Sequence, residues 1–143
     1  MSKKVILSIA GNRFTQDDDD QVKLITQGSY YMDGLAYVLQ YDESELSGME
    51  GTTTTVRIED GTVIMQRAGT HNSHFVFKNG QFFQGNYKTP FGDVQVGLYP
   101  VYLDYLFEED NGRLDLEYRM ELSGVETMNQ IQISFNADNK SLI

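Results

Sequence analysis

Four dipeptides punctuate the alternating apolar and polar runs of this chain: Asp33-Gly34, Asp60-Gly61, Asn79-Gly80 and Asn111-Gly112. Such pairs are the preferred centres of two-residue type I′ hairpins, because both central residues must take positive φ. Gly124-Val125 adds a candidate type II′ turn. No other feature constrains the fold as strongly. A two-residue turn predicts a complete register, since opposed residues then have position numbers of constant sum. Paired residues must share a face, so each register can be checked against the apolar pattern.

The check succeeds for most hairpins. Around Asn111-Gly112, Phe107 is predicted to face Leu116, Tyr105 Tyr118, Leu103 Met120 and Val101 Leu122, while Asp104 meets Arg119 and Leu106 meets Glu117 on the other face. Through Gly124-Val125, residues 122, 120, 118, 116 and 114 oppose Thr127, Asn129, Ile131, Ile133 and Phe135. Three strands thus agree on one apolar face, as in a half-buried antiparallel meander. The Asp33-Gly34 register sets Met32 opposite Leu35, Tyr30 opposite Tyr37, Gly28 opposite Leu39, Thr26 opposite Tyr41 and Leu24 opposite Glu43. At Asp60-Gly61, Ile58 meets Val63, Val56 meets Met65 and Thr54 meets Arg67. Asn79-Gly80 is ambiguous: Phe75, Phe77 and Phe82 fall on one face, Val76, Phe83 and Tyr87 on the other. One aromatic row there is exposed, or both faces are covered.

The remaining segments fit around these hairpins. Residues 3–11 read as a first strand rather than a signal sequence, because Ser8 interrupts the apolar run. Residues 16–21 read as a charged connection. Thr89-Pro90-Phe91-Gly92 reads as a turn before a long run in which Pro100 bends the strand. One short helical turn between Glu43 and Met49 is all the helix the pattern allows. The expectation is one all-β domain over 1–143, with about 8–10 antiparallel strands in an up-and-down barrel, which leaves no exposed edge.

Charge and composition exclude several functions. A net charge of −10 with eleven scattered basic residues argues against nucleic-acid binding. With no Cys, the chain has no disulfide, thiolate nucleophile or Cys-based zinc site, which suits a cytoplasmic location. No stretch has the ~20 apolar residues of a membrane-spanning helix.

The stretch Tyr41-Asp42-Glu43-Ser44-Glu45-Leu46-Ser47-Gly48-Met49-Glu50-Gly51-Thr52-Thr53-Thr54-Thr55, followed by Thr89-Pro90-Phe91-Gly92 and Leu114-Asp115-Leu116-Glu117-Tyr118, resembles the YwiB-like family. The resemblance covers nearly the whole chain. It implies a calycin-like (lipocalin-like) β-barrel in a cytoplasmic bacterial protein, and it implies no activity. The chain has no Trp and so lacks the Gly-x-Trp signature of lipocalins.

Candidate site residues are polar groups that the registers place inward. Arg67 lies in line with Val56, Ile58, Val63 and Met65, where an unpaired cation is costly. Extending its hairpin past Gly51 and Gly69 sets Glu50 opposite His71. Glu43 is a second inward acid. These four residues, with Asn129, are expected to converge at one end of the barrel. They either hold a ligand or form an ion pair that closes the barrel. Tyr30, Tyr37, Tyr41, Tyr105 and Tyr118 fall on core faces, where they pack or line a lumen suited to a flat or amphipathic molecule.

No metal or cofactor is expected. His71-x-x-His74 is a weak ligand pattern, and Asp17 to Asp20 lacks the glycine and closing glutamate of a calcium loop. The leading expectation is non-enzymatic binding of a small, partly apolar ligand inside the barrel by a monomer or homodimer. A second is a protein-docking module using the 43–50 segment with Phe75, Phe83 or Tyr102. A third is an isomerase- or cyclase-like enzyme with Glu43 or Glu50 as base beside Arg67.

Overall fold

A computed structural model describes residues 2–14, 19–89 and 92–138. Ten antiparallel strands follow one another in chain order: β1 (Lys3–Phe14), β2 (Asp19–Asp33), β3 (Ala36–Asp42), β4 (Thr52–Glu59), β5 (Thr62–Gly69), β6 (Asn72–Lys78), β7 (Phe83–Thr89), β8 (Gly92–Phe107), β9 (Asn111–Leu122) and β10 (Val125–Ala137). Each pairs with its sequence neighbour, and β1 closes on β10. The molecule is an up-and-down barrel, and the helical content of the described residues is one 3-10 turn, Glu45–Ser47. Ser44 caps that turn by accepting from the Leu46 N–H at 3.1 Å, and Gly48 ends it at φ 75°.

Asp60-Gly61 forms the predicted type I′ turn, with φ of 50° and 74°, and its register holds from Ile58–Val63 to Thr54–Arg67. Three other hairpins slip. At the first, Gly34-Leu35 is the turn, so Tyr30 pairs with Leu39, Met32 with Tyr37 and Gly28 with Tyr41. Gly34 has positive φ and Leu35 does not, as in a type II′ turn. Between β9 and β10 the turn is Ser123-Gly124, both with positive φ. Tyr118 therefore faces Asn129, Leu116 faces Ile131 and Leu114 faces Ile133. Between β8 and β9 the slip is four residues: Phe107 pairs with Gly112, Tyr105 with Leu114 and Leu103 with Leu116. All three slips are even, so side chains keep their predicted faces wherever the ladder is regular.

Asn111-Gly112 is thus strand rather than turn. Gly112 is present for space: a Cβ there would lie 2.6 Å from Phe135 Cε1 and 2.8 Å from Phe107 Cδ1. Asp104 faces Asp115 rather than Arg119, and Arg113 bridges both carboxylates at 3.2 and 2.8 Å. Leu106 pairs with Arg113, not Glu117.

Two irregularities change faces. The β6–β7 pairing is offset by an odd step, with Ser73 opposite Tyr87; Phe75 and Phe77 are buried, Phe75 packed over Gly85. Phe82 is exposed and stacks outside on Tyr99, ring centres 4.5 Å apart. Phe75 is therefore core, not a docking residue. In β8 a bulge between Pro100 and Tyr102 ejects Val101, which is exposed instead of facing Leu122. A proline at a bulge loses no ladder hydrogen bond, which explains its place in a long strand. At the start of the chain, Asp19 and Asp20 belong to β2, so the charged connection is shorter than expected; residues 15–18, like Pro90 and Phe91, lie outside the described residues.

Inside, Val5, Leu7, Leu39, Val56, Ile58, Val63, Met65, Phe77, Leu98, Leu114, Leu116, Ile133 and Phe135 are fully buried. One end of the barrel is filled by rings. Tyr30, Tyr37, Phe107 and Phe135 contact one another at centroid distances of 4.6 to 6.4 Å, and Tyr105 stands 6.2 Å from Phe107. Two of the three phenols have hydrogen-bond partners: Tyr30 donates to the Glu108 carbonyl and Tyr105 accepts from the Gly61 N–H, both at 3.1 Å. The outward faces carry polar rows, as in Arg113, Asp115, Glu117 and Arg119 of β9.

Candidate functional site

The opposite end of the barrel is not filled. A cavity of about 440 Å³ opens there, with Ile9, Val22, Leu24 and Ile131 as apolar walls, Tyr41, Glu43, Arg67, Tyr118 and Asn129 as inward polar groups, and Arg13 among the further polar residues that line it. Each polar member arrives by strand alternation. Tyr41 continues the inward row of Leu39 on β3. Arg67 continues Val63 and Met65 on β5, and Tyr118 continues Leu114 and Leu116 on β9. Asn129 precedes Ile131 and Ile133 on β10. The crossing from β3 to β4 forms one side of the mouth, where Ser47 and Met49 line the cavity.

Glu43 is the best-held group. Its backbone N–H donates to the Thr52 carbonyl at 2.8 Å, which extends the β3–β4 pairing and turns the side chain inward. The carboxylate accepts a hydrogen bond from the Thr54 hydroxyl, and Thr54 is fully buried. Arg67 Nε lies 3.7 Å from Glu43 Oε2, an ion-pair distance but not a hydrogen bond. The glutamate side chain is 3% exposed and the arginine 17%. Arg67 Nε is buried without a hydrogen-bond partner, as are Ser73 Oγ on the paired strand and His71 Nδ1. Three orphaned polar atoms so close in sequence are unusual in a folded interior.

The two tyrosines feel this environment. Burial, followed by the neighbouring Glu43 charge, pushes the Tyr41 phenol well above the ordinary tyrosine range, while Arg67 and Thr54 partly oppose the shift. Burial also raises the Tyr118 phenol, with Arg67 again opposing. Both phenols are therefore neutral near pH 7 and able to donate. Asn129 uses Nδ2 to donate to Thr127 Oγ1 at 3.0 Å.

The structure brings Glu43, Arg67, Tyr41, Tyr118 and Asn129 together. It does not bring Glu50, which is exposed: the ladder ends at Thr52–Gly69, where Gly51 and Gly69 take φ of 86° and 128°. His71 is near but does not line the cavity; its backbone N–H donates to Thr52 Oγ1 at 3.0 Å. Tyr30, Tyr37 and Tyr105 belong to the aromatic end, not to this site. Sequence reasoning missed the contribution of β1, where Ile9 and Gly11 extend the inward row of Val5 and Leu7. The same alternation that placed β9 and β10 marks them. It also missed Thr54 as a carboxylate partner, although its pairing with Arg67 was legible.

Comparison with known proteins gives a consistent picture. The family described as "Domain of unknown function (DUF1934)" matches residues 7–134. The "Uncharacterized beta-barrel protein YwiB" of Bacillus subtilis (strain 168) is 23% identical over 125 residues, covering 85% of this chain and 86% of that protein. The crystal structure of the ywiB protein from Bacillus subtilis superposes with a TM-score of 0.86 at 19% identity, covering 96% of this chain and 93% of the other. The ten-stranded closed barrel, the family match over most of the chain and the likeness to YwiB together show that this protein belongs to the DUF1934 family.

Proposed function

We propose that this barrel is a non-enzymatic binding protein that takes one small, partly apolar molecule into the cavity at its polar end. The observation that carries this reading is the cavity itself. At about 440 Å³ it has the size of small-molecule sites, with apolar walls and a few convergent polar groups. Gly11 supports it further: the residue has ordinary backbone angles, lines the cavity, and a Cβ there would meet no atom within 4 Å. A packed core leaves no such gap.

The test is native mass spectrometry of the protein isolated from its own host, beside Gly11→Phe, which fills the lumen. A co-purifying small molecule in the wild type that is lost in Gly11→Phe is expected. Absence of any adduct from the wild type counts against the reading. We also propose a cytoplasmic location, a reading supported by the Cys-free sequence and by polar-out, apolar-in strands, the reverse of a membrane-spanning barrel.

A second reading, docking on a protein partner, is favoured by one observation. Leu46 is exposed at the tip of the 43–50 crossing, and Phe82, Tyr99, Val101 and Tyr102 are exposed on one side of the barrel. Retention of partner binding in a Leu46→Ser variant would remove that support. An isomerase- or cyclase-like role keeps Glu43 as its candidate base, since Glu50 is outside the cavity.

A further inference from the structure

We infer that the molecule bound in this cavity is a monocarboxylate with an apolar body, whose carboxylate sits on the guanidinium of Arg67. The inference rests on the cavity-binding reading above and adds the head-group chemistry. Arginine carries five N–H donors in a planar fork that matches a carboxylate. In this protein Arg67 makes one 3.7 Å ion pair through Nε, on the side of Glu43, and no hydrogen bond to any described residue. An inward arginine whose Nε is buried without a hydrogen bond is an unfinished interaction. Its two terminal nitrogens form the edge left for a bidentate partner.

The neighbouring groups select the charge of that partner. Glu43 and Arg67 offset each other, and Arg13 also lines the cavity, so the site accommodates a monoanion more readily than a phosphate dianion. Tyr118 lines the same cavity and its phenol is kept neutral by burial, so it offers a second donor to an oxyanion. A cationic head group would have to compete with Arg67 for Glu43, whose Oε2 already accepts from Thr54. Beyond the polar groups the walls are Ile9, Val22, Leu24 and Ile131, which fit an aliphatic or aromatic body rather than a sugar.

Calorimetric titration with octanoate, octanol and octylamine tests this. Octanoate is expected to bind the wild type at least tenfold tighter than octanol, and octylamine more weakly still. Arg67→Gln should weaken octanoate by roughly ten- to a hundredfold and leave octanol unchanged, the range for a charged hydrogen-bonded contact. Arg67→Lys, which keeps the charge and loses the fork, should fall between them. Glu43→Gln/Arg67→Gln replaces the ion pair by two amides and guards against misfolding of the single variant; it too should lose the preference for octanoate. Gly11→Phe should abolish all binding. Equal affinity for octanoate and octanol, or a preference for octylamine, overturns the head-group assignment while leaving the cavity reading intact. Octanoate binding that survives Gly11→Phe places the molecule elsewhere and overturns the inference. No binding of any of the three overturns both readings.

Discussion

Removing the guanidinium of Arg67 is the most informative single perturbation of stability. Two unit charges 3.7 Å apart attract by about 4 to 5 kcal/mol at an effective dielectric near 20. Arg67→Ala forfeits that attraction but also releases the desolvation that the arginine itself suffers, and cavity water reaches what remains. The balance depends on which partner is stranded. Glu43 is the more buried of the two, at 3% against 17%, and keeps only the Thr54 hydroxyl after the substitution. Arg67→Ala is therefore expected to lose about 2 to 3 kcal/mol, below the full range for a deeply buried pair. Glu43→Gln keeps the Thr54 hydrogen bond and leaves the more solvated partner, so it should lose about 1 kcal/mol or less. Urea unfolding followed by circular dichroism measures both, and the melting temperature of Arg67→Ala should fall by roughly 8 to 12 °C. In the double variant Glu43→Gln/Arg67→Ala, about 1 kcal/mol or more of the loss should return, because no stranded charge remains. A wild-type melting temperature for Arg67→Ala refutes the argument. So does a loss for Glu43→Gln that exceeds the loss for Arg67→Ala.

Other outcomes follow from the packing. Gly112→Ala should destabilise by about 1 to 3 kcal/mol, since the new methyl meets Phe135 and Phe107 ring carbons inside the aromatic end; the urea midpoint checks it. Gly11→Phe, by contrast, should leave the urea midpoint at or above the wild-type value, because a Cβ there meets no atom within 4 Å and the ring enters the open cavity that Gly11 lines. At alkaline pH the raised phenols of Tyr41 and Tyr118 give a definite sign: the fold favours the neutral form, so this stability is present below about pH 10 and lost as pH rises beyond it. Tyr41→Phe should show a shallower alkaline loss in urea unfolding between about pH 10 and 12, and a parallel loss would contradict the burial of that phenol.

The barrel was legible because its evidence is redundant. Alternation fixes which residues face inward, and Leu114, Leu116 and Tyr118 can be assigned from that alone. The slips at Gly34-Leu35, Ser123-Gly124 and Glu108 to Asp110 were not legible, since moving a hairpin by two or four residues leaves every face intact. Periodicity is blind to such a shift. What chooses among the even registers is local sterics, as where Gly112 must lie under Phe107 and Phe135. The bulge at Val101 and the odd offset beside Phe82 change faces, and neither leaves a mark beyond Pro100 and a crowded aromatic run.

The site divides in the same way. From the sequence alone, Glu43, Tyr41, Arg67, Tyr118 and Asn129 could be set on inward faces, because each continues an apolar row. Sequence set Glu43, Arg67 and Asn129 at one end but could not separate Tyr41 and Tyr118 from Tyr30, Tyr37 and Tyr105, which share those faces but stand at the other end. Distance along a strand becomes position along a barrel only once shear and register are fixed, and those depend on all ten strands closing together. Glu50 and His71 went astray for a local reason: the ladder stops at Thr52–Gly69, where two glycines turn the chain away. The sequence thus determined the strands, their faces and the inward charges. Only the closed barrel decided that one end packs its rings solid while the other leaves Arg67 beside an open cavity.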